Sequence, residues 1–241
     1  MEFTYKAYGS LLALLRKNGY EICTYHDYVS FDKCAIIRHD VDMSLEKAVA
    51  LAEYEYTHAV RSTYFLLLSS DLYNVASSRC SRLISEILGF GHNIGLHFDE
   101  TRYSNTSKPM SEIIEQETRV LSEILGACIN SVSMHRPSSE TLAANYQLAN
   151  AANSYSKTFF DEFKYLSDSR RHWREPIIDI VESNLHKKLH ILTHPFWYSK
   201  ESLSASDICI SFVNSANRER YNQMTNNIRD FTEFMEEREV I

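Results

Sequence analysis

Four short stretches of the chain hold the side chains able to do chemistry. They are Arg38-His39-Asp40-Val41-Asp42, Gly91 through His97 with Asp99 just beyond, His135-Arg136-Pro137, and Thr193-His194-Pro195, with Asp168 and Trp173 ahead of the last. In an extended segment Asp40 and Asp42 face the same way, because strand side chains alternate with period two. Two carboxylates so close ask for a metal ion, an arginine or a shared proton. The plainer role for Asp42 is to begin a turn before a helix capped by Ser44. His97 adds an imidazole, and imidazole beside carboxylate is the usual donor set for zinc and similar divalent ions. Arg136 carries a permanent planar cation suited to holding a carboxylate such as Asp40, although an arginine ahead of a turn is also an ordinary surface residue. His194, oriented by Asp168, is suited to donating a proton.

The elements that must position these groups alternate in type. Leu11, Leu12, Leu14 and Leu15 predict an N-terminal helix that ends near Asn18 and Gly19. A buried strand at 35–38 follows, then a helix after Ser44 with Leu45, Val49, Ala52 and Tyr56 at helical spacing. Strands are expected at 62–68, 93–96, 131–134 and 189–193, with weaker strand signals near Tyr165 and at 177–181. Helices are expected at 83–88, along Ile113, Ile114, Val120, Leu121, Ile124 and Leu125, and after Ser139. Strands alternating with helices imply parallel pairing, in an open doubly wound sheet or a closed barrel. Both architectures gather chemical groups at the carboxyl ends of their strands. Tyr221, Met224, Ile228, Phe231 and Met235 recur at three- and four-residue steps, as in an amphipathic helix that packs on the domain or pairs two subunits in a homodimer.

Composition narrows the class. With 44% hydrophobic and 24% charged residues over 241 positions, the chain is expected to fold as one domain, 1–241. Six glycines and four prolines are too few for a β-solenoid or a collagenous segment. A net charge of −7 with scattered basic residues argues against nucleic-acid binding. Five widely spaced cysteines without a C-x-x-C argue against a disulfide framework and against a zinc knot. No apolar run is long enough for a membrane span and no leader pattern opens the sequence, so a soluble cytoplasmic protein is expected.

In order and content these stretches resemble the polysaccharide deacetylase family, the carbohydrate esterases of the NodB homology fold, in a divergent branch whose first motif reads R-H-D-V-D. The resemblance spans about 36–197. It rests on Asp40 and Asp42, on Ser62-Thr63-Tyr64-Phe65, on Gly91 through His97, on Arg136-Pro137, on Asp168 and Trp173, and on Ile191-Leu192-Thr193-His194. It implies a single NodB-like domain with an N-terminal helical segment and a C-terminal amphipathic helix, built as a distorted (β/α) barrel of about seven parallel strands. It also implies a divalent metal at the mouth, zinc foremost, with cobalt, nickel and manganese as alternatives.

The family's mechanism implies Asp40 as base toward a metal-bound water, Arg136 orienting that base, and His194 as acid toward the leaving amine with Asp168 tuning it. Trp173 and Ile191 are implied to line an acetyl pocket. Where the family supplies a second metal histidine this chain has Thr101. Asp99, Glu100 and His135 are the available replacements, and His135 joins Asp42 and His97 as the expected ligand set. The aspartates read D-x-D rather than adjacent, so His39 competes with Asp42 for the second position. Asp42 is preferred, because a carboxylate is the harder ligand and shares a face with Asp40. The expected activity is removal of an acetyl group from an N-acetylated sugar or glycan precursor, nucleotide- or lipid-linked. The rivals are a metal-independent C–N hydrolase on the same barrel and a non-catalytic carbohydrate-binding or scaffold barrel.

Overall fold

Buried strands and one-sided helices alternate along the first two hundred residues, in the order α1 (Tyr5–Lys17), β1 (Glu21–Cys23), β2 (Cys34–Val41), α2 (Leu45–Thr57), β3 (Thr63–Leu67), α3 (Ser78–Gly89), β4 (Asn93–Phe98), α4 (Met110–Leu125), β5 (Ser131–Met134), α5 (Ser139–Ala144), β6 (Ala152–Asn153), β7 (Lys164–Ser167), α6 (Ile177–Ser183) and β8 (Lys188–Thr193). The computed structural model describes residues 1–240, and the chain divides into two compact units, the first Met1–Lys200 and the second from Glu201 onward. The helix starts follow their caps: Thr4, Ser44, Ser77 and Ser138 each accept a hydrogen bond from a backbone N–H of the first turn. Gly19 leaves α1 at φ +76°, a conformation that a Cβ would strain.

All strand pairs are parallel, in the order β6-β5-β4-β3-β2-β8-β7. β1 pairs with β2 over residues 34–36 and β3 over residues 38–41, so the two share one edge of β2. The sheet is strongly curled, because groups from both of its ends meet on β2. Ser154, just past β6, accepts a hydrogen bond at 2.5 Å from Arg38, although four ladder steps of about 4.8 Å separate those strands in a flat sheet. Tyr165 of β7, at the opposite end, lies 6.0 Å from the same guanidinium. This is the distorted parallel barrel expected from the motifs, with no ladder joining β6 to β7 among the described residues.

Two apolar layers cover the outside of the sheet. One joins α2, α3 and α4 to β3, β4 and β5 through residues such as Leu66, Ile84, Leu96 and Ile114. The other joins α1 and α6 to β2, β7 and β8 through Leu11, Ile37, Leu166, Val181 and Ile191. A third, smaller cluster of Cys23, Tyr25, Ile36, Phe65 and Phe159 fills the inside.

Two expectations need correction. Residues 177–181 form a helix rather than a strand: the run is β-branched, but its buried members, Ile177 and Val181, lie four apart on one helical face. In the second unit α7 (Ala205–Asn227) stops at Asn227, with Ile228 extended as its C-cap. Asp230 turns at φ +57° and brings the Phe231 ring to 5.5 Å from Tyr221, so the C-terminal apolar residues fold back on one another instead of extending one helical face.

Inside the barrel the Phe65 ring occupies the space over Gly95, where an added Cβ would meet Phe65 Cδ1 at 2.4 Å and the Ser131 carbonyl at 2.9 Å. Gly95→Ala is therefore expected to lower unfolding free energy by about 1–3 kcal/mol, read by urea denaturation. Wild-type stability in that variant would mean that Phe65 does not fill this space.

Candidate metal centre and acid-base site

Alternation along three strands delivers the chemical groups to the inside of the mouth. On β2 Arg38 and Asp40, continued by Asp42 directly after the strand, face inward while Ile37, His39 and Val41 face the helices. On β4 it is Gly95 and His97, and on β5 Ser131 and Ser133, continued by His135 directly after the strand. On β8 it is His190, Leu192 and, just past the end, His194.

Three of the expected ligands converge. Asp42 Oδ1 lies 3.2 Å from His97 Nε2 and 3.5 Å from His135 Nδ1, and the two imidazole nitrogens are 3.2 Å apart. The His135 backbone N–H donates to the Phe98 carbonyl at 2.7 Å, which ties the loop after β5 to the end of β4. Neither imidazole is aligned to hydrogen-bond Asp42 Oδ1, so that buried oxygen has no donor, and the buried His97 Nδ1 has no partner either. Burial pushes the Asp42 carboxyl up, but the His135 and His97 imidazoles more than reverse this and hold it well below the usual carboxylate range.

This triangle fits a divalent ion. Tetrahedral bonds of about 2.0–2.2 Å set donor atoms about 3.3–3.6 Å apart, and three protein donors leave a fourth position open. The other replacements considered for Thr101 are already engaged. Asp99 Oδ1 accepts from the Thr101 N–H and hydroxyl at 3.0 and 2.7 Å, and Glu100 accepts from Ser138 and Thr141. His39 points away from the mouth and stands outside the set.

Asp40 lies beside the triangle, its Oδ2 3.8 Å from His97 Nε2. The guanidinium that holds it is not the expected one. Arg38 donates to Asp40 Oδ2 at 3.3 Å from a fully buried position, and the Ser133 hydroxyl donates to Oδ1 at 3.3 Å. Arg136 is exposed, in the loop after β5 at φ +48° and one residue out of phase with His135. The signal for Arg38 was in the sequence: it is two residues before Asp40 and shares its face.

His194 and Asp168 meet as expected, Nδ1 to Oδ1 at 2.6 Å. Asp168 also accepts from the His194 backbone N–H at 3.2 Å and from the Tyr198 hydroxyl at 3.2 Å. His194 Nε2 is then free to face the site, 3.9 Å from Asp42 Oδ2. Burial pulls the His194 pKa down, but Asp168 outweighs it, with help from Asp40 and Asp42, and the net value is raised to about 9.

The expected acetyl-pocket residues are displaced. Ile191 pairs in register with Ile37 and Leu166, and with Trp173 it packs in the outer layer against α1 and α6. Leu192, one residue on, pairs with Arg38 and is the apolar side chain that β8 turns toward the inside.

No family model and no curated protein sequence matches the chain. Among solved structures it is similar to a family 4 carbohydrate esterase from Bacillus anthracis, at 14% identity and TM-score 0.43 over 87% of this chain and 85% of that one. It is also similar to a polysaccharide deacetylase from Bacillus cereus, at 14% identity and TM-score 0.43 over 72% and 93% of the two chains. A third similar structure is a CE4-family pseudoenzyme from Bacillus anthracis, at 14% identity and TM-score 0.41 over 76% of this chain. The match spans 62% of that pseudoenzyme's length. No helix among the described residues is long and apolar enough to cross a membrane.

A raised histidine pKa stabilises the fold while the group is protonated, so the His194–Asp168 contribution is complete below about pH 6.5 and is lost as pH rises through about 9. In EDTA, urea denaturation of wild type from pH 6 to 10 is expected to show a decline, relative to His194→Gln, of up to roughly 3 kcal/mol. Parallel curves for the two proteins would remove the charged pairing.

Proposed function

We propose that the chain is a metal-dependent hydrolase that releases acetate from an N-acetylated sugar or glycan precursor. The observation that carries this reading is the donor triangle of Asp42, His97 and His135 with Asp40 on one side and His194 near another edge. Asp42, His97 and His135 would hold the ion, with zinc the leading candidate from the mixed nitrogen and oxygen donors. An ion bound there lowers the pKa of its water and polarises a carbonyl oxygen.

The chain's own groups supply the rest. Asp40 accepts the proton of the attacking water, and Arg38 and Ser133 hold its carboxylate in one orientation. Asp168 favours the protonated form of His194, and with Nδ1–H committed to Asp168 a proton on Nε2 is the one available to the leaving amine. The acid and the base belong to strands that are neighbours in the sheet, β8 and β2, so a substrate spanning them lies across one strand boundary.

Acetate release from a panel of N-acetylated amino sugars and their oligomers is expected with added zinc or cobalt and is abolished by EDTA. Asp40→Asn is expected to lower kcat by about 10²–10⁴-fold, with Arg38→Met similarly damaging and Arg136→Met close to wild type. Equal activity in the chelated protein would exclude the metal reading, and an inert Arg38→Met would exclude the orienting role. Metal titration separates the ligands as well: His135→Ala is expected to weaken cobalt binding at least tenfold, whereas Thr101→Ala leaves it unchanged.

A further inference from the structure

On the helix side of the sheet, directly behind the site, Glu55 of α2 is fully buried. Its neighbours on the buried face of that helix are Leu51, Ala52, Ala48 and Leu45, so a carboxylate is the exception there. Glu55 accepts four hydrogen bonds, two on each oxygen. Oε1 takes the Tyr8 hydroxyl at 2.5 Å and His39 Nε2 at 3.0 Å, and Oε2 takes the Ser62 hydroxyl at 2.6 Å and the Tyr64 hydroxyl at 2.8 Å. An ionised carboxylate is acceptor-only and can satisfy four donors in this way, whereas an amide would turn an N–H₂ toward some of them. His92 holds the far side, its Nδ1 3.1 Å from the Ser62 hydroxyl and its Nε2 2.9 Å from the Ala52 carbonyl.

The cluster reaches the site through one residue. With Nε2 on Glu55, His39 has Nδ1 2.6 Å from the Thr193 hydroxyl. His39 and Thr193 are register partners on β2 and β8. Each immediately precedes a residue of the acid-base pair, Asp40 in one strand and His194 in the other. Alternation turns the two neighbours to the mouth while His39 and Thr193 stay on the helix side, so a contact made behind the sheet sets a distance in front of it.

We infer that Glu55 is a positioning residue: through His39 and Thr193 it clamps the ends of β2 and β8 and fixes the spacing of Asp40 and His194. The catalytic consequence rests on the deacetylase reading above, while the clamp itself rests only on the geometry behind the sheet. Burial raises the Glu55 pKa, but His39, His92 and Ser62 outweigh it and bring it down to about 2, which keeps the four-acceptor form at all working pH.

Thr193 separates this role from ordinary packing. Thr193→Ser keeps the hydroxyl and loses a buried methyl, whereas Thr193→Val keeps the shape and loses the hydroxyl. Packing alone ranks valine above serine in both stability and activity. The clamp ranks serine above valine in activity: Thr193→Val and Glu55→Gln are expected to lose about tenfold or more in kcat with KM within about twofold, and Thr193→Ser to stay near wild type.

A second readout needs no turnover. In metal-free protein at fixed pH, the His194 ring-proton resonances are expected to move in Glu55→Gln, although Glu55 does not touch His194. Unmoved His194 resonances in folded Glu55→Gln, or activities that follow packing rank, overturn the clamp. Should Glu55→Gln fail to fold, the Thr193 pair decides by the same resonances. A wild type that releases no acetate overturns the deacetylase reading alone, and the resonances then decide the clamp.

Discussion

A carboxylate removed from water must find a cation or a full set of hydrogen-bond donors, and this constraint organises the whole mouth of the barrel. Asp40 has Arg38, Asp168 has His194 and Tyr198, and Glu55 has Tyr8, His39, Ser62 and Tyr64. Asp42 is the member of this group without a permanent cation or a donor on its inner oxygen. Its nearest neighbours are two imidazoles, which are themselves lone-pair donors when neutral. A divalent ion is the species that satisfies all three at once, and this is why the site reads as a metal centre rather than as another structural ion pair.

The curl of the sheet follows from the same need. Arg38 could not be buried on a flat parallel sheet without losing most of its partners. It is fully enclosed here because Ser154 and Tyr155 come to it from beyond β6 and Tyr165 from β7. The strands at the two ends of the sheet are thereby drawn toward β2. Bulky rings fill the lower interior, and Gly95 gives the room that Phe65 takes up. The polar groups are left to the upper level, where the strands end and the loops begin.

Much of this was legible in the sequence, because two-residue alternation and helical spacing are local. The strand at 131–134, the caps at Ser44 and near Gly19, the D-x-D face and the partnership of His194 with Asp168 all follow from short stretches. What escaped needed either registry or a third dimension. Alternation alone would have turned Leu192 rather than Ile191 to the inside and moved the guanidinium from Arg136 to Arg38, but a motif resemblance fixes residue types more firmly than it fixes phase. β1 and β6 are too short to carry a periodic signal, and the helix at 177–183 is hidden by its β-branched composition. Nothing local marks Glu55 as buried, because its four donors come from α1, β2, β3 and the residue just before β3.

Compared with the motif pattern that the sequence resembles, two positions at the mouth are taken by other residues of the chain. His135, in the loop after β5, stands with Asp42 and His97 although Thr101 offers no imidazole, and Arg38 on β2 holds Asp40 although Arg136 is present in that loop. His135 and Arg38 are both in phase with the inward series of their strands, whereas Arg136 and Thr101 are both exposed. On the hydrolase reading proposed above, the mouth would then hold three metal donors, one guanidinium and one base. The base stands beside a cation and the acid beside an anion, and each partner is on the side away from the reacting centre: Arg38 lies deeper on β2 than Asp40, and Asp168 takes the His194 nitrogen that does not face Asp42. Asp40 and His194 therefore sit in opposite charge environments, the arrangement that the proposed transfer of a proton from water to a leaving amine would use.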